Sequence, residues 1–178
     1  DVEAVLSGAN VLAIGDGTAE NWEIIQFAQA QMVGDRTYIL TDLLRGQAGS
    51  SGLISDPWPT GAKVVLLDGR PEQISIPSAA RGQQRHFRFG PVKKPATDRS
   101  YRHTVHAFKG NGYRPYPVVH LNGSTGAGGL QVNWVRQTRI DGDYWGRGDV
   151  PLGEENETYV VQIRQGDLIV REDTVSQP

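Results

Sequence analysis

Residues Thr158 to Glu172 constrain the fold more than any other stretch. Tyr159, Val161 and Ile163 alternate with Val160, Gln162 and Arg164, and a glycine-containing turn at Gln165-Gly166 or Gly166-Asp167 follows. A period of two is the pleat of a half-buried strand, whereas a helix would scatter these residues around its axis. Either turn places Tyr159, Val161 and Ile163 on one face with Leu168 and Val170, so the face assignment survives a one-residue doubt in the turn. The stretch predicts a β-hairpin with one face to cover.

The same punctuation recurs along the chain. Leu130, Val132 and Trp134 point one way while Gln131 and Asn133 point the other. Pro115-Tyr116-Pro117 before Val118 to Leu121 suits an edge strand. Val11 to Ile14, Thr37 to Leu44, Lys63 to Leu67 and Gln73 to Ile76 read as short strands bounded by glycine, aspartate or proline turns. Arg45 to Gly52 reads as a loop, and Asp141 to Asn156 as a long polar loop. Trp22 to Val33 stays open: Ile24, Phe27, Ala28 and Gln31 make a partial helical stripe, while alternation splits Trp22, Ile24 and Gln26 from Glu23, Ile25 and Phe27. Gly 22 and Pro 10 in 178 residues amount to about 18%, against an average near 12%. The fold class expected is mainly β.

Length allows one domain or two small ones with a real core. A net charge of -2 excludes an overall polycation built to coat nucleic acid. With no cysteine, disulfides, thiolate zinc sites and Cys nucleophiles are all excluded. Apolar runs of only a few residues predict no transmembrane helix and no signal peptide. The chain begins at Asp1 without Met, which reads as a fragment or a processed product.

Composition changes in the middle. Arg81 to Arg114 holds nine Lys and Arg against one acid, Asp98, with Phe87, Phe89, Tyr101, Phe108 and Tyr113 interleaved. Such a segment can hold single-stranded nucleic acid by stacking and phosphate contacts. A solvated linker, or a face meeting acidic loops such as Asp141 to Glu157 of a neighbour, explains it better.

Other patterns carry less. Gly123 to Gly129 lacks the Lys and the following helix of a phosphate-binding loop and reads as a hairpin turn. Asp141-Gly142-Asp143 fails the EF-hand pattern, because position 5 is Trp145 and position 12 is Leu152. An irregular cation site of Asp141, Asp143 and Asp149 stays open beside a solvated acidic loop. His103 and His106 fall on opposite faces of a strand, which argues against a shared metal. Arg147-Gly148-Asp149 and the glycosylation-type triplets at Asn122 and Asn156 are too short to carry a role. No nucleophile elbow or facing pair of carboxylates is visible, so no catalytic residue, metal ligand or cofactor site is expected.

Four stretches together resemble one family. They are Glu23-Ile24-Ile25-Gln26-Phe27-Ala28-Gln29-Ala30, Leu43-Leu44-Arg45-Gly46-Gln47-Ala48-Gly49, the run from Trp134 to Trp145, and Val150-Pro151-Leu152-Gly153-Glu154-Glu155-Asn156-Glu157-Thr158-Tyr159. They are similar to the C-terminal part of the large tail-tip protein of gene transfer agents and related long-tailed phages, the megatron or host-specificity family. The chain departs from that pattern at Gln137, where the family has Arg.

The resemblance implies a baseplate protein on a virion or gene transfer agent particle, at the tail tip. It implies a homotrimer among other tail proteins, in contact with a host-envelope receptor or polysaccharide. It tips Trp22 to Val33 toward strand. It also implies a small β-rich module over residues 1–95, then an incomplete fibronectin type III-like module over 96–178, with Trp134 and Tyr159 facing inward. Such a half sandwich leaves an apolar face that the first module or a symmetry-related copy covers, or that is poorly ordered. On this reading Tyr144, Trp145 and Arg147 are exposed contact residues, since aromatics and Arg dominate interfaces. A carbohydrate-binding module and a cell-wall hydrolase domain are the alternatives.

Overall fold

A computed structural model describes residues 2–142 and 149–178. Its secondary structure is mainly antiparallel β, in a chain that divides into two compact units, Asp1–Arg114 and Pro115–Pro178.

The first unit opens with a one-turn helix α1 (Val2–Leu6), then β1 (Val11–Gly15), β2 (Trp22–Gly34), β3 (Thr37–Gln47) and β4 (Lys63–Leu66). These strands form one sheet in the order β3-β2-β1-β4. Leu12 pairs with Ile25 on one side and Leu66 on the other. Val5, Leu12, Ala13, Ile25 and Ala28 make the core. The helix is tied to the sheet by a buried amide: Gln26 Nε2 donates to the carbonyls of Val5 at 2.7 Å and Ala9 at 2.8 Å. The Val5 carbonyl also accepts from the Gly8 amide at 2.9 Å, and the two bonds satisfy the buried Gln26 amide. Gly15 is required by close approach, because a Cβ would sit 2.3 Å from the Asn21 carbonyl oxygen.

Trp22 to Val33 is strand throughout, not helix. Its central position lets both edges pair, and tertiary pairing overrides the helix propensity of Ala, Glu and Gln. Beyond Ala28 the β2–β3 hairpin runs past the core. Met32, Val33, Tyr38 and Ile39 are all more than half exposed there.

Two sequence expectations fail in this unit. Arg45 to Gln47 belongs to β3 and is not loop, because Gly46 at φ 64 absorbs a bulge that lets the strand continue. Gln73 to Ile76 forms no strand. The basic segment makes a separate hairpin of β5 (Gln84–Phe89) and β6 (Arg102–Ala107). On one face Phe87 lies parallel to Phe89 at 6.2 Å and meets Phe108 edge-on at 5.8 Å. On the other, His86 Nδ1 and His103 Nε2 lie 2.9 Å apart.

The second unit is two hairpins, β7 (Val119–Gly126) with β8 (Gly129–Val135), and β9 (Tyr159–Gln165) with β10 (Leu168–Val175). The predicted hairpin turn is Gly166-Asp167, with Leu168 opposite Gln165. Leu168 keeps the expected face. Val170 is an extra residue in the register, so Arg171, Asp173 and Val175 take the places opposite Ile163, Val161 and Tyr159. Among the described residues of this unit only Trp134 is a buried apolar side chain. It meets Tyr159 edge-on at 5.1 Å. A groove of about 420 Å³ lies between the hairpins, lined by Leu121, Leu130, Val132, Trp134, Val161 and Ile163 among others.

The chain exposes 14046 Å². Two separate compact domains of these sizes would together expose about 10,000 Å². Sheet faces therefore lie bare on a scale that single exposed residues do not explain.

Candidate functional site

Two constellations of buried and half-buried charge gather residues from the four stretches singled out in the sequence. The first is buried in β2. Glu23 faces inward from a strand whose neighbours Ile25 and Ala28 are core, and none of its surface is exposed. Four donors saturate its carboxylate. Arg45 Nε reaches Oε1 at 2.7 Å and Arg45 Nη2 reaches Oε2 at 2.6 Å, a bidentate fork. The Gly46 amide donates to Oε1 at 3.0 Å and Trp58 Nε1 to Oε2 at 2.7 Å.

The β3 bulge at Gly46 aims that amide inward, and Arg45 also donates to the Ser55 carbonyl at 2.8 Å. Burial pushes the Glu23 carboxyl up, but the bonds from Arg45, Trp58 and Gly46 outweigh it and hold the group below its usual 4.5. The Arg45 guanidinium is raised in turn by its bond to Glu23. A carboxylate with every lone pair occupied has nothing left for acid–base work. This constellation is a lock that ties β2, β3 and the segment before β4 together.

The second constellation is in the other unit, at the base of the polar loop after β8. Arg136 Nε and Nη2 donate to the Val150 carbonyl at 3.0 and 2.8 Å. Its Nη2 lies 2.6 Å from Asp149 and its Nη1 2.8 Å from Glu157. Tyr159 Oη donates to Glu157 at 2.8 Å. The Glu157 carboxyl is lowered by these bonds, from Tyr159 first and Arg136 second. Burial and the Glu157 charge raise the Tyr159 hydroxyl. Arg139 pairs with Glu154 at 3.0 Å and lies over the Tyr116 ring at 4.3 Å. Arginines on the outgoing limb thus clamp acids on the returning limb.

The expected contact residues Tyr144, Trp145 and Arg147 lie outside the described residues, as does Asp143. The structure describes the two ends of their loop and the clamp that joins them. Of the candidate cation ligands, Asp149 is committed to Arg136 and to the Val150 amide at 2.9 Å. Among the described residues no three His, Asp or Glu side chains could share a metal ion. His103 and His106 do part to opposite faces: His103 meets His86, and His106 packs beside Phe87 and Phe108. Gly123 to Gly126 is not turn but the end of β7, paired with Gly129 to Val132, and only Ala127-Gly128 closes the hairpin. No helix among the described residues is long and apolar enough to cross a membrane.

Neither Glu23 nor Arg136 stands out as a partner in the sequence. A glutamate amid apolar strand residues was the available signal for the first, since a buried charge demands a paired cation. The count of acids after Asp141 was the signal for the second.

The first constellation coincides with a family match. Residues 1–65 match the model of the family described as Rcc01698-like, C-terminal. The Rcc01698-like segment contains Glu23, Arg45, Gly46 and Trp58, so the lock lies wholly inside it. It also contains two of the four stretches singled out in the sequence, Glu23 to Ala30 and Leu43 to Gly49. The two later stretches lie beyond it. No curated protein and no solved structure matches the chain.

Proposed function

We propose that this chain is a structural component of a phage-like tail tip, on a gene transfer agent or virion, that contributes to tail assembly and host-envelope attachment. The observation that carries the reading is the Rcc01698-like match over residues 1–65, whose polar centre is a saturated lock and not an open reaction site. A module of this kind transmits load between neighbours and has no turnover. Its localisation is the distal end of the tail.

The bare strands supply the contacts. The β2–β3 arm presents Met32, Val33, Tyr38 and Ile39 with few charges, the composition of an interface core. We assign this arm to homotrimer formation and to contact with other tail proteins. The second unit is read as a fibronectin type III-like module, with Trp134 of β8 against Tyr159 of β9 as its core pair. The clamped loop carrying Tyr144, Trp145 and Arg147 is its contact loop toward the envelope.

Immunogold labelling of purified particles with an antibody to this chain tests the assignment. Label at the distal end of the tail is the expected result. Particles without label, from cells that express the chain, overturn it.

A further inference from the structure

Charge is segregated in this chain. Residues 81–114 carry nine cations and one acid, net +8, so the remainder of the -2 chain carries -10. The one acid is already spent: Asp98 lies 3.6 Å from Lys94 and accepts from the Ser100 amide and hydroxyl at 2.9 and 2.7 Å. Lys109 pairs with Glu20 at 2.7 Å, and Arg88 donates to the Ala96 carbonyl at 2.8 Å. Arg81, Arg85, Lys93, Arg99 and Arg102 are exposed and make no ion pair among the described residues.

The hairpin sets some of these cations in a pattern. Arg85 is opposite His106 and Phe89 is opposite Arg102, so both arginines share the face that carries Phe87 and Phe89. Four residues of strand separate the two positions, about 13 Å. Phe89, 54% exposed, lies at the Arg102 end. The loop that leaves Phe89 and returns to Arg102 brings Lys93 and Arg99 to the same end. Unpaired guanidinium groups are bidentate receptors for carboxylate or phosphate.

We propose that the β5–β6 hairpin, with the 90–101 loop, is a docking surface for an acidic polysaccharide. This deepens the envelope-attachment reading and rests on it for the source of the polymer. The acidic loop of a neighbouring copy fits less well. Asp149 and Glu157 there are held by Arg136, and Glu154 by Arg139. Single-stranded nucleic acid also fits less well, because its binding uses successive open rings. Phe87 is packed between Phe89, His106 and Phe108, so the open rings of that face, Phe89 at 54% exposed and Phe108 at 38%, stand on either side of a covered one. An open ring flanked by guanidinium groups suits a sugar ring that carries its own acid groups.

Titration calorimetry of the full chain with polygalacturonate tests this, with neutral dextran and a single-stranded oligonucleotide of equal charge as comparisons. The expected result is binding at about 50 mM salt that weakens at least tenfold by about 300 mM, and no dextran binding. Arg85→Gln with Arg102→Gln should cost roughly another tenfold while the circular dichroism spectrum and melting temperature stay put. Absence of polygalacturonate binding, indifference to the double substitution, or tighter binding of the oligonucleotide would each overturn the proposal. Because the assay uses the purified chain, particles that lack gold label would sink the tail-tip location and leave this result standing.

Discussion

The two units solve the same problem in opposite ways. Each is built from antiparallel strands too few to wrap a large core. The first closes around a buried charge, with Glu23 at zero exposure and four donors on its carboxylate. The second has, among its described residues, a single buried aromatic, Trp134, and leaves a groove open beside it. The contrast separates rigidity from adhesion. A saturated ion pair fixes strand positions and offers a partner nothing, whereas an open apolar groove fixes little and offers a partner a great deal.

Substitutions should divide along this line. Glu23→Ala is the most damaging expected change, because it strands the Arg45 guanidinium, the Trp58 indole N–H and the Gly46 amide together. Removing one partner of a buried pair costs about 3–5 kcal/mol. The Arg45 side chain above the site is 29% exposed, which places this one near the low end, about 3 kcal/mol. Chemical unfolding of the full chain measures it, with the loss confined to the transition of the first unit.

The same site sets an acid limit. The Glu23 carboxyl is held below 4.5 in the folded chain, so its contribution is complete above the unfolded value and fades as pH falls through the folded one. Stability of the first unit should be flat from neutral pH to about 5 and then decline. Glu23→Gln, followed by the same pH series, should flatten that decline.

Trp134→Ala should cost less, about 2 kcal/mol, because one side of the ring already faces the groove and less packing is lost than at a closed core site. The loss should appear in the second unit alone. Arg136→Met should cost about 1 kcal/mol, the worth of a few partly exposed hydrogen bonds. It should also speed proteolysis within the 143–148 loop, read by limited trypsin digestion, since the clamp on the loop ends is gone. Smallest of all, Trp145→Ala should move stability by no more than about 0.5 kcal/mol while weakening adsorption of particles to host cells. A large fall in melting temperature would make Trp145 a core residue instead of a contact.

What could be read from the sequence follows the range of the interaction. Alternation is local, so the β9–β10 hairpin and the Leu130 to Trp134 strand were plain, and so was the parting of His103 from His106. The Val170 bulge was not, since a register slip has no signature in composition. Trp22 to Val33 was undecided on propensity because its strand state comes from β1 and β3, which pair on either side of it. The Glu23 lock needed a residue 22 positions away and another 35 positions away. The Leu43 to Gly49 signature marked the place without giving the chemistry. Arg45 and Gly46 read as loop because a glycine in a run of polar residues resembles a turn until its amide is seen on a buried carboxylate. The basic middle was visible by counting, but which cations are already paired was not.

Native-state hydrogen exchange on the full chain is the most direct test of the division between a locked scaffold and an open face. The amides of Leu12, Ile25 and Gly46 should be the slowest to exchange, protected near the limit of global unfolding, while those of β7 to β10 exchange orders of magnitude sooner. Equal protection across both units, or slower exchange in β9 and β10 than in β2, would contradict the account.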